Sequence, residues 1–162
     1  MKVLLLRFAK RLGSTGNLPW HFSFYKDMMK KDGHSVDIID CQIENRPIEK
    51  LVEETIEGNY DIVGTGGIGT VYDHLKAYSH QLKAKAPEIV LVVGGQVLAD
   101  HKFIMEAVPL DIAALGEGEL TMVKIANCVE KQGDYADIPG IAFWKDGEIV
   151  ETESEELIDL DE

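Results

Sequence analysis

The sequence predicts an α/β fold: a doubly wound, parallel, five-stranded sheet with helices on both faces. Three observations lead there. Short apolar runs alternate five times with longer amphipathic segments between residues 2 and 132. One of those runs, Ile89-Val90-Leu91-Val92-Val93, is unbroken and rich in β-branched residues, the pattern of a strand covered on both faces. The connections are short, which favours adjacent, right-handed β-α-β units. The expected strand order is 2-1-3-4-5, a flavodoxin-like and more broadly Rossmann-like arrangement.

Each element follows from its own residues. Lys2-Val3-Leu4-Leu5-Leu6 is the first strand, and residues 7–19 form a glycine-bearing loop. Residues 20–31 read as a helix, with Phe24, Met28 and Met29 apolar at helical spacing, closed by Gly33 in a left-handed position. Ser35-Val36-Asp37-Ile38-Ile39-Asp40 alternates as strand two. Pro47 opens a helix whose inner face is Ile48, Leu51, Val52, Thr55 and Ile56. Asp61-Ile62-Val63 is strand three, and residues 70–86 form a helix with Val71, Leu75, Tyr78 and Leu82 on one face, stopped by Pro87. After strand four come a helix over 97–108, strand five at 111–115, and a helix running to about Gln132. Asp146-Gly147 between two apolar runs then marks a C-terminal β-hairpin. The expected organisation is an α/β body at 1–137, a hairpin at 138–150 and an acidic linker or tail at 151–162.

Strands three and four both empty into glycines, Gly64-Thr65-Gly66-Gly67 and Gly94-Gly95. Ligands of open α/β sheets bind outside the carboxyl ends of the strands. Two adjacent strand ends without side chains fit a broad ligand lying against backbone.

Composition removes several classes of function. A net charge of −13 disfavours nucleic acid, which needs clustered cations. No run of eighteen apolar residues offers a membrane span, and the apolar start is too short for a signal peptide, so a cytoplasmic location is expected. Cys41 and Cys128 lack any metal-binding spacing and read as small hydrophobes. The five histidines show no pairing on one helical face, and neither a nucleophile elbow nor a P-loop is present. A phosphoacceptor receiver domain is excluded, because its carboxylate and lysine positions hold Arg7-Phe8, Gly64-Thr65 and Leu115-Gly116.

Three motifs could hold a ligand. Gly64-Thr65-Gly66-Gly67-Ile68-Gly69 fits the dinucleotide fingerprint G-x-G-x-x-G. It stands on the third strand, however, and the next strand ends in Gly94-Gly95-Gln96 where a ribose-binding carboxylate belongs. Gly13-Ser14-Thr15-Gly16-Asn17 is similar to a flavodoxin phosphate loop, which leaves an FMN-binding redox module open. Gly116-Glu117-Gly118-Glu119 opens the last helix, where glutamates either compensate the helix dipole or accept hydrogen bonds from a ligand.

Four features together resemble the cobalamin-binding (vitamin B12-binding) N-terminal domain of radical S-adenosylmethionine (radical SAM) enzymes. They are Gly33-His34-Ser35-Val36 leading to Ile38-Ile39-Asp40, Asp61-Ile62-Val63-Gly64 with Thr65 and Thr70, Val93-Gly94-Gly95, and Asp111 leading to Gly116-Glu117-Gly118-Glu119-Leu120-Thr121. The ending Ile138-Pro139-Gly140-Ile141-Ala142 with Lys145-Asp146-Gly147 is similar too. The resemblance implies a base-off cobalamin whose nucleotide tail enters a slot between sheet and helices. It places Thr65, Gly66 and Gly67 along the tail, Thr70, Val71 and Tyr72 beside it, Gly94 and Gly95 where it passes strand four, and Gly116, Glu117 and Gly118 at its ribose and phosphate.

The chain departs from related patterns twice. The D-x-H-x-x-G histidine of methionine-synthase-like domains has no counterpart, since only Asn17-Leu18-Pro19-Trp20-His21 stands in that region. The C-x3-C-x2-C cluster for a 4Fe-4S centre is absent, and two cysteines cannot build one. The resemblance therefore implies a cobalamin-binding domain whose radical SAM partner, with its iron–sulfur cluster and S-adenosylmethionine, lies elsewhere in a longer enzyme performing methyl transfer or other cobalamin-assisted radical chemistry. A stand-alone domain, and one that binds nothing and serves as an interaction surface, remain alternatives.

Overall fold

The computed structural model describes residues 1–8, 20–43, 46–116 and 118–154. The glycine loop at 13–17, Glu117 and the acidic tail from 155 onward lie outside the described residues. Strands β1 (Lys2–Arg7), β2 (Ser35–Asp40), β3 (Ile62–Gly66), β4 (Val90–Gly94) and β5 (Ile112–Ala114) run parallel in the order β2-β1-β3-β4-β5, as the alternation of elements predicts. Helices α1 (Trp20–Lys31), α2 (Ile48–Glu57), α3 (Tyr72–Lys85), α4 (His101–Ala107) and α5 (Gly118–Lys131) connect them.

Two apolar layers flank the sheet. One is filled by Leu51 and Val52 of α2, Leu75, Tyr78 and Leu82 of α3, and Ile104 and Met105 of α4, packed on Leu4, Val63 and Leu91. The other holds Phe22 and Met29 of α1 and Met122, Ile125 and Ala126 of α5, packed on Val3, Ile62 and Val92. Successive strand residues alternate between the layers, and this is why the central runs are apolar throughout. The predicted inner faces of α2 and α3 point inward. Tyr78 is fully buried in the α3 face, where its hydroxyl lies 2.9 Å from Thr55 Oγ1 of α2. Thr55 Oγ1 donates to Leu51 O at 2.8 Å, so Tyr78 is the donor in that pair.

The structure corrects two expectations and adds to a third. In α1, Met29 is buried as expected, but Phe24 is 46% exposed, and Phe22 and Tyr25 share the inward side with Met29. Phe22 and Met29, two turns apart, fix the phase of the helix and turn Phe24 to solvent. The helix expected over 97–108 is a 3₁₀ turn, Gln96–Leu98, followed by the short α4. Asp100 divides them, because its side chain accepts from Phe103 N and caps α4 there. The expected C-terminal hairpin is present and extends the sheet. Strand β6 (Ile141–Lys145) pairs antiparallel with β5, and β7 (Glu148–Glu151) pairs with β6, so the sheet has seven strands among the described residues. Its turn has φ of 53° at Asp146 and 84° at Gly147, the two positive angles of a two-residue hairpin loop.

Aspartates fasten the end of the sheet remote from the glycines. Asp61 Oδ2 accepts from Lys2 N at 2.6 Å, locking β1 against β3. Asp111 Oδ2 accepts from Leu91 N at 2.6 Å and pairs with Lys83 Nζ at 2.5 Å. These two residues of the family-like motifs lie at the amino ends of β3 and β5 and hold the scaffold.

Candidate functional site

Where β3 and β4 end, the backbone is bare and closely crossed. Gly67 N donates to Gly94 O at 3.3 Å, and Val97 N donates to Gly67 O at 2.8 Å. A Cβ on Gly66 would stand 2.2 Å from Gly94 O, so no side chain fits there. Gly95 has φ of 83°, and a Cβ on it would meet Gly67 O at 3.1 Å. The crossing of the two strands accounts for both glycines.

Gly64 and Gly94 have a different reason. Both sit on the sheet face that α1 and α5 cover, in the same alternation as Ile62 and Val92. A Cβ on Gly94 would find nothing closer than Ala114 Cβ at 3.8 Å, which is ordinary contact. A Cβ on Gly64 would meet only side-chain ends, Met122 Cε at 2.9 Å and Leu5 Cδ2 at 3.2 Å. Packing leaves open space at Gly94, whereas at Gly64 the end of the Met122 side chain occupies the room that a Cβ would need.

The open space belongs to a slot of about 400 Å³. Its floor is the sheet: Leu5, Gly64 and Val92 in one cross-strand row, and Gly66, Gly94 and Ala114 in the next row towards the strand ends. Its roof is Phe22 and Tyr25 of α1 with Gly118 and Met122 of α5. The row below contains Val3 and Ile62, both fully buried, which closes the slot at depth. Polar side chains gather at the mouth. Arg7 Nη1 lies 3.2 Å from Asp40 Oδ2, Gln96 lies beyond the end of β4, and a Cβ on Gly118 would stand 3.0 Å from the Tyr25 hydroxyl. A second, shallower cavity of about 760 Å³ continues from the mouth over Gly69, Gly95, Gln96, His101 and Gly116.

Seven of the residues singled out in the sequence line the slot: Thr65, Gly66, Gly67, Gly94, Gly95, Gly116 and Gly118. Thr65 turns its hydroxyl away to donate to Leu6 O at 2.9 Å. Thr70 is exposed, Val71 is buried in the layer of α2 and α3, and Tyr72 packs against that same layer, so these three do not line the slot. Glu117 lies outside the described residues. Leu5, Arg7, Phe22, Tyr25, Gly64, Ile68, Val92, Gln96, Ala114 and Met122 complete the lining, and most escape sequence reasoning because they are ordinary core apolar types. Gly64 alone carried a signal, standing two residues from Gly66 on one strand face. The G-x-G-x-x-G run leads into a 3₁₀ turn, Gly69–Val71, before α3 begins. It therefore does not present an α-helix amino terminus directly behind the glycines, which is what a pyrophosphate uses.

The B12 binding domain family matches residues 22–126. Among curated proteins, the chain is 27% identical over 134 residues to an anaerobic magnesium-protoporphyrin IX monomethyl ester cyclase of Synechocystis sp., covering 80% of this chain and 27% of that protein. It is 27% identical over 159 residues to an uncharacterized methyltransferase of Pyrococcus horikoshii, covering 92% of this chain and 34% of that protein. The chain thus spans about a third or less of the length of the curated relatives it matches. Among solved structures, the radical S-adenosylmethionine methyltransferase TsrM of Kitasatospora setae, with cobalamin and a [4Fe-4S] cluster bound, superposes with a TM-score of 0.80 at 16% identity. That match covers 94% of this chain and 29% of TsrM. The cobalamin-dependent S-adenosylmethionine radical enzyme OxsB, with aqua-cobalamin and S-adenosylmethionine bound, gives 0.77 at 17% identity, covering 96% of this chain and 22% of OxsB. At such identities the likeness is one of fold, and the family match rests on the sequence itself. Spanning well over half of the residues, it makes this chain a member of the B12-binding domain family, with the fold shared by cobalamin-dependent radical SAM enzymes.

Proposed function

We propose that the chain is the cobalamin-binding module of a radical SAM enzyme and holds the cofactor base-off, its nucleotide tail lodged between the sheet and helices α1 and α5. The observation that carries this reading is the open space at Gly94. It lies on the floor of an apolar slot that begins where the strands end. The tail's aromatic base suits a cleft bounded by Leu5, Val92, Phe22 and Met122, and its ribose and phosphate suit the polar mouth near Gly116 and Gly118, with Glu117 assigned to the same part of the tail by the family resemblance alone. Thr65, Gly66, Gly67 and Gly95 shape the entrance, and Thr70, Val71 and Tyr72 enter the proposal only through the turn that ends β3.

When bound, cobalamin supplies a cobalt centre that can carry a methyl group or take part in radical chemistry. This chain's residues contribute binding, orientation and exclusion of water from the tail. Iron–sulfur and S-adenosylmethionine chemistry belongs, in this proposal, to a catalytic domain joined beyond the hairpin, with residues 1–137 as the binding body, 138–150 as the hairpin and 151–162 as the link. Among the described residues no helix is long and apolar enough to cross a membrane, and a cytoplasmic setting is part of the proposal.

The test is titration with hydroxocobalamin and methylcobalamin, followed by gel filtration and visible spectroscopy. Cobalamin that co-elutes with a base-off spectrum is the expected result. Failure to retain either form, with the fold intact by circular dichroism, overturns the proposal, and a yellow complex with FMN would replace it.

A further inference from the structure

The closed end of the slot has a chemical character that goes beyond holding a corrinoid tail. Leu5, Gly64 and Val92 form its floor, and Met122 reaches down onto it, with Cε where a side chain on Gly64 would begin. Val3 and Ile62 lie directly beneath. Every one of these side chains ends in carbon or sulfur. The backbone groups of β3 at this level are taken up in the ladders to β1 and β4. The polar side chains that line the slot stand at its mouth or, in the case of Thr65, turn to Leu6 O. Among the described residues, nothing at the closed end can donate or accept a further hydrogen bond except weakly through the Met122 sulfur.

From this we infer that the slot selects among corrinoids by their lower base, accepting an apolar aromatic such as dimethylbenzimidazole or a cresol and disfavouring a purine such as adenine. The inference rests on the tail-in-slot reading above. The ring nitrogens and exocyclic amine of adenine bond to water in solution. Pushed against Leu5, Val92 and Met122 they lose that water and gain no partner, which weakens binding by about tenfold or more. A dimethylbenzimidazole edge presents methyl groups there, and a cresol presents one, so both exchange water for carbon contact. Met122 is suited to the fit, because its unbranched thioether can shift to accommodate bases of different outline.

The experiment compares the affinities of the whole chain for four corrinoids with the same upper ligand, read by absorbance and equilibrium dialysis and each corrected for the free energy of releasing its own base from cobalt. They carry dimethylbenzimidazole, p-cresol, adenine or no base at all (cobinamide). The benzimidazole and cresol forms are expected to bind alike, the adenine form about tenfold or more weakly, and cobinamide more weakly than the benzimidazole form. Met122→Gln places a donor and an acceptor at the closed end and is expected to narrow the adenine gap at least about threefold, whereas Met122→Leu preserves it. Equal affinity for the benzimidazole and adenine forms overturns the selectivity and leaves the tail-in-slot reading standing. Cobinamide binding as tightly as cobalamin overturns both. Retention of no corrinoid overturns the proposed function itself.

Discussion

Gly66 and Gly94 face each other across β3 and β4, yet a side chain would have opposite consequences at each. At Gly94 a Cβ meets nothing closer than ordinary contact, so Gly94→Phe directs its ring into the open slot. It is expected to abolish cobalamin retention while leaving circular dichroism and thermal unfolding close to those of the parent. Gly66→Ala drives a methyl group into Gly94 O and is expected to cost about 2 kcal/mol, read as a lower urea midpoint. Gly95 is a poor place to block the slot, because its left-handed φ strains any replacement. This division could not be read from the sequence, where the glycines look alike. That they cluster at two strand ends was legible. Which of them make way for a neighbouring strand, and which leave open space, depends on the distance between β3 and β4.

Among the elements, α2 and α3 were the most legible, since their apolar spacing alone names Leu51, Val52, Leu75, Tyr78 and Leu82. The polar link between them was not, because nothing in the chain order pairs Thr55 with Tyr78. Burial pushes the Tyr78 phenol well above its ordinary value and keeps it a neutral donor. Thr55→Val removes the acceptor and strands the Tyr78 O–H in the core, at an expected cost of about 1–3 kcal/mol by chemical denaturation. Tyr78→Phe leaves Thr55 still donating to Leu51 O and should cost less, about 0.5–1.5 kcal/mol. In the double variant part of the Thr55→Val loss should be recovered, because no donor is then left stranded. Helix α1 was misjudged in phase for a related reason. Phe24 is as apolar as Phe22, and only the position of α5 and the sheet decides which of them is covered.

Across the whole molecule, the hairpin joins the sheet, and α4 is braced against its last strand. Glu151 of β7 receives Lys102 Nζ at 2.8 Å and lies 3.1 Å from His101 Nε2. The Lys102 hydrogen bond, aided by His101, holds the Glu151 carboxyl below its ordinary value. A carboxyl lowered in the folded state contributes its full stabilisation above its unfolded value and loses it as the pH falls through the lowered one. Hydrogen exchange of the β7 amides, corrected for intrinsic rate, should therefore quicken as the pH is taken below about 4. Glu151→Gln should make that exchange faster at neutral pH and flatten its dependence on acidity. The hairpin itself was announced by Asp146-Gly147. Its attachment to β5 was not, because the pairing of Ala113 with Ala142 joins two unremarkable residues.

That attachment carries a mechanical consequence. Leu115 N, at the exit of β5, is held by Gly140 O at 2.8 Å, and Gly140 N is in turn held by Glu153 O at 2.9 Å. Thr152 N donates to Ile141 O at 2.9 Å and adds a second clasp beside the first. The backbone at residue 153 is thus tethered, through one residue, to the rim that continues into Gly116. A tug on the strap leaving β7 is felt at the mouth of the slot after passing through only two hydrogen bonds, so whatever grips that strap also has a hand on the doorway.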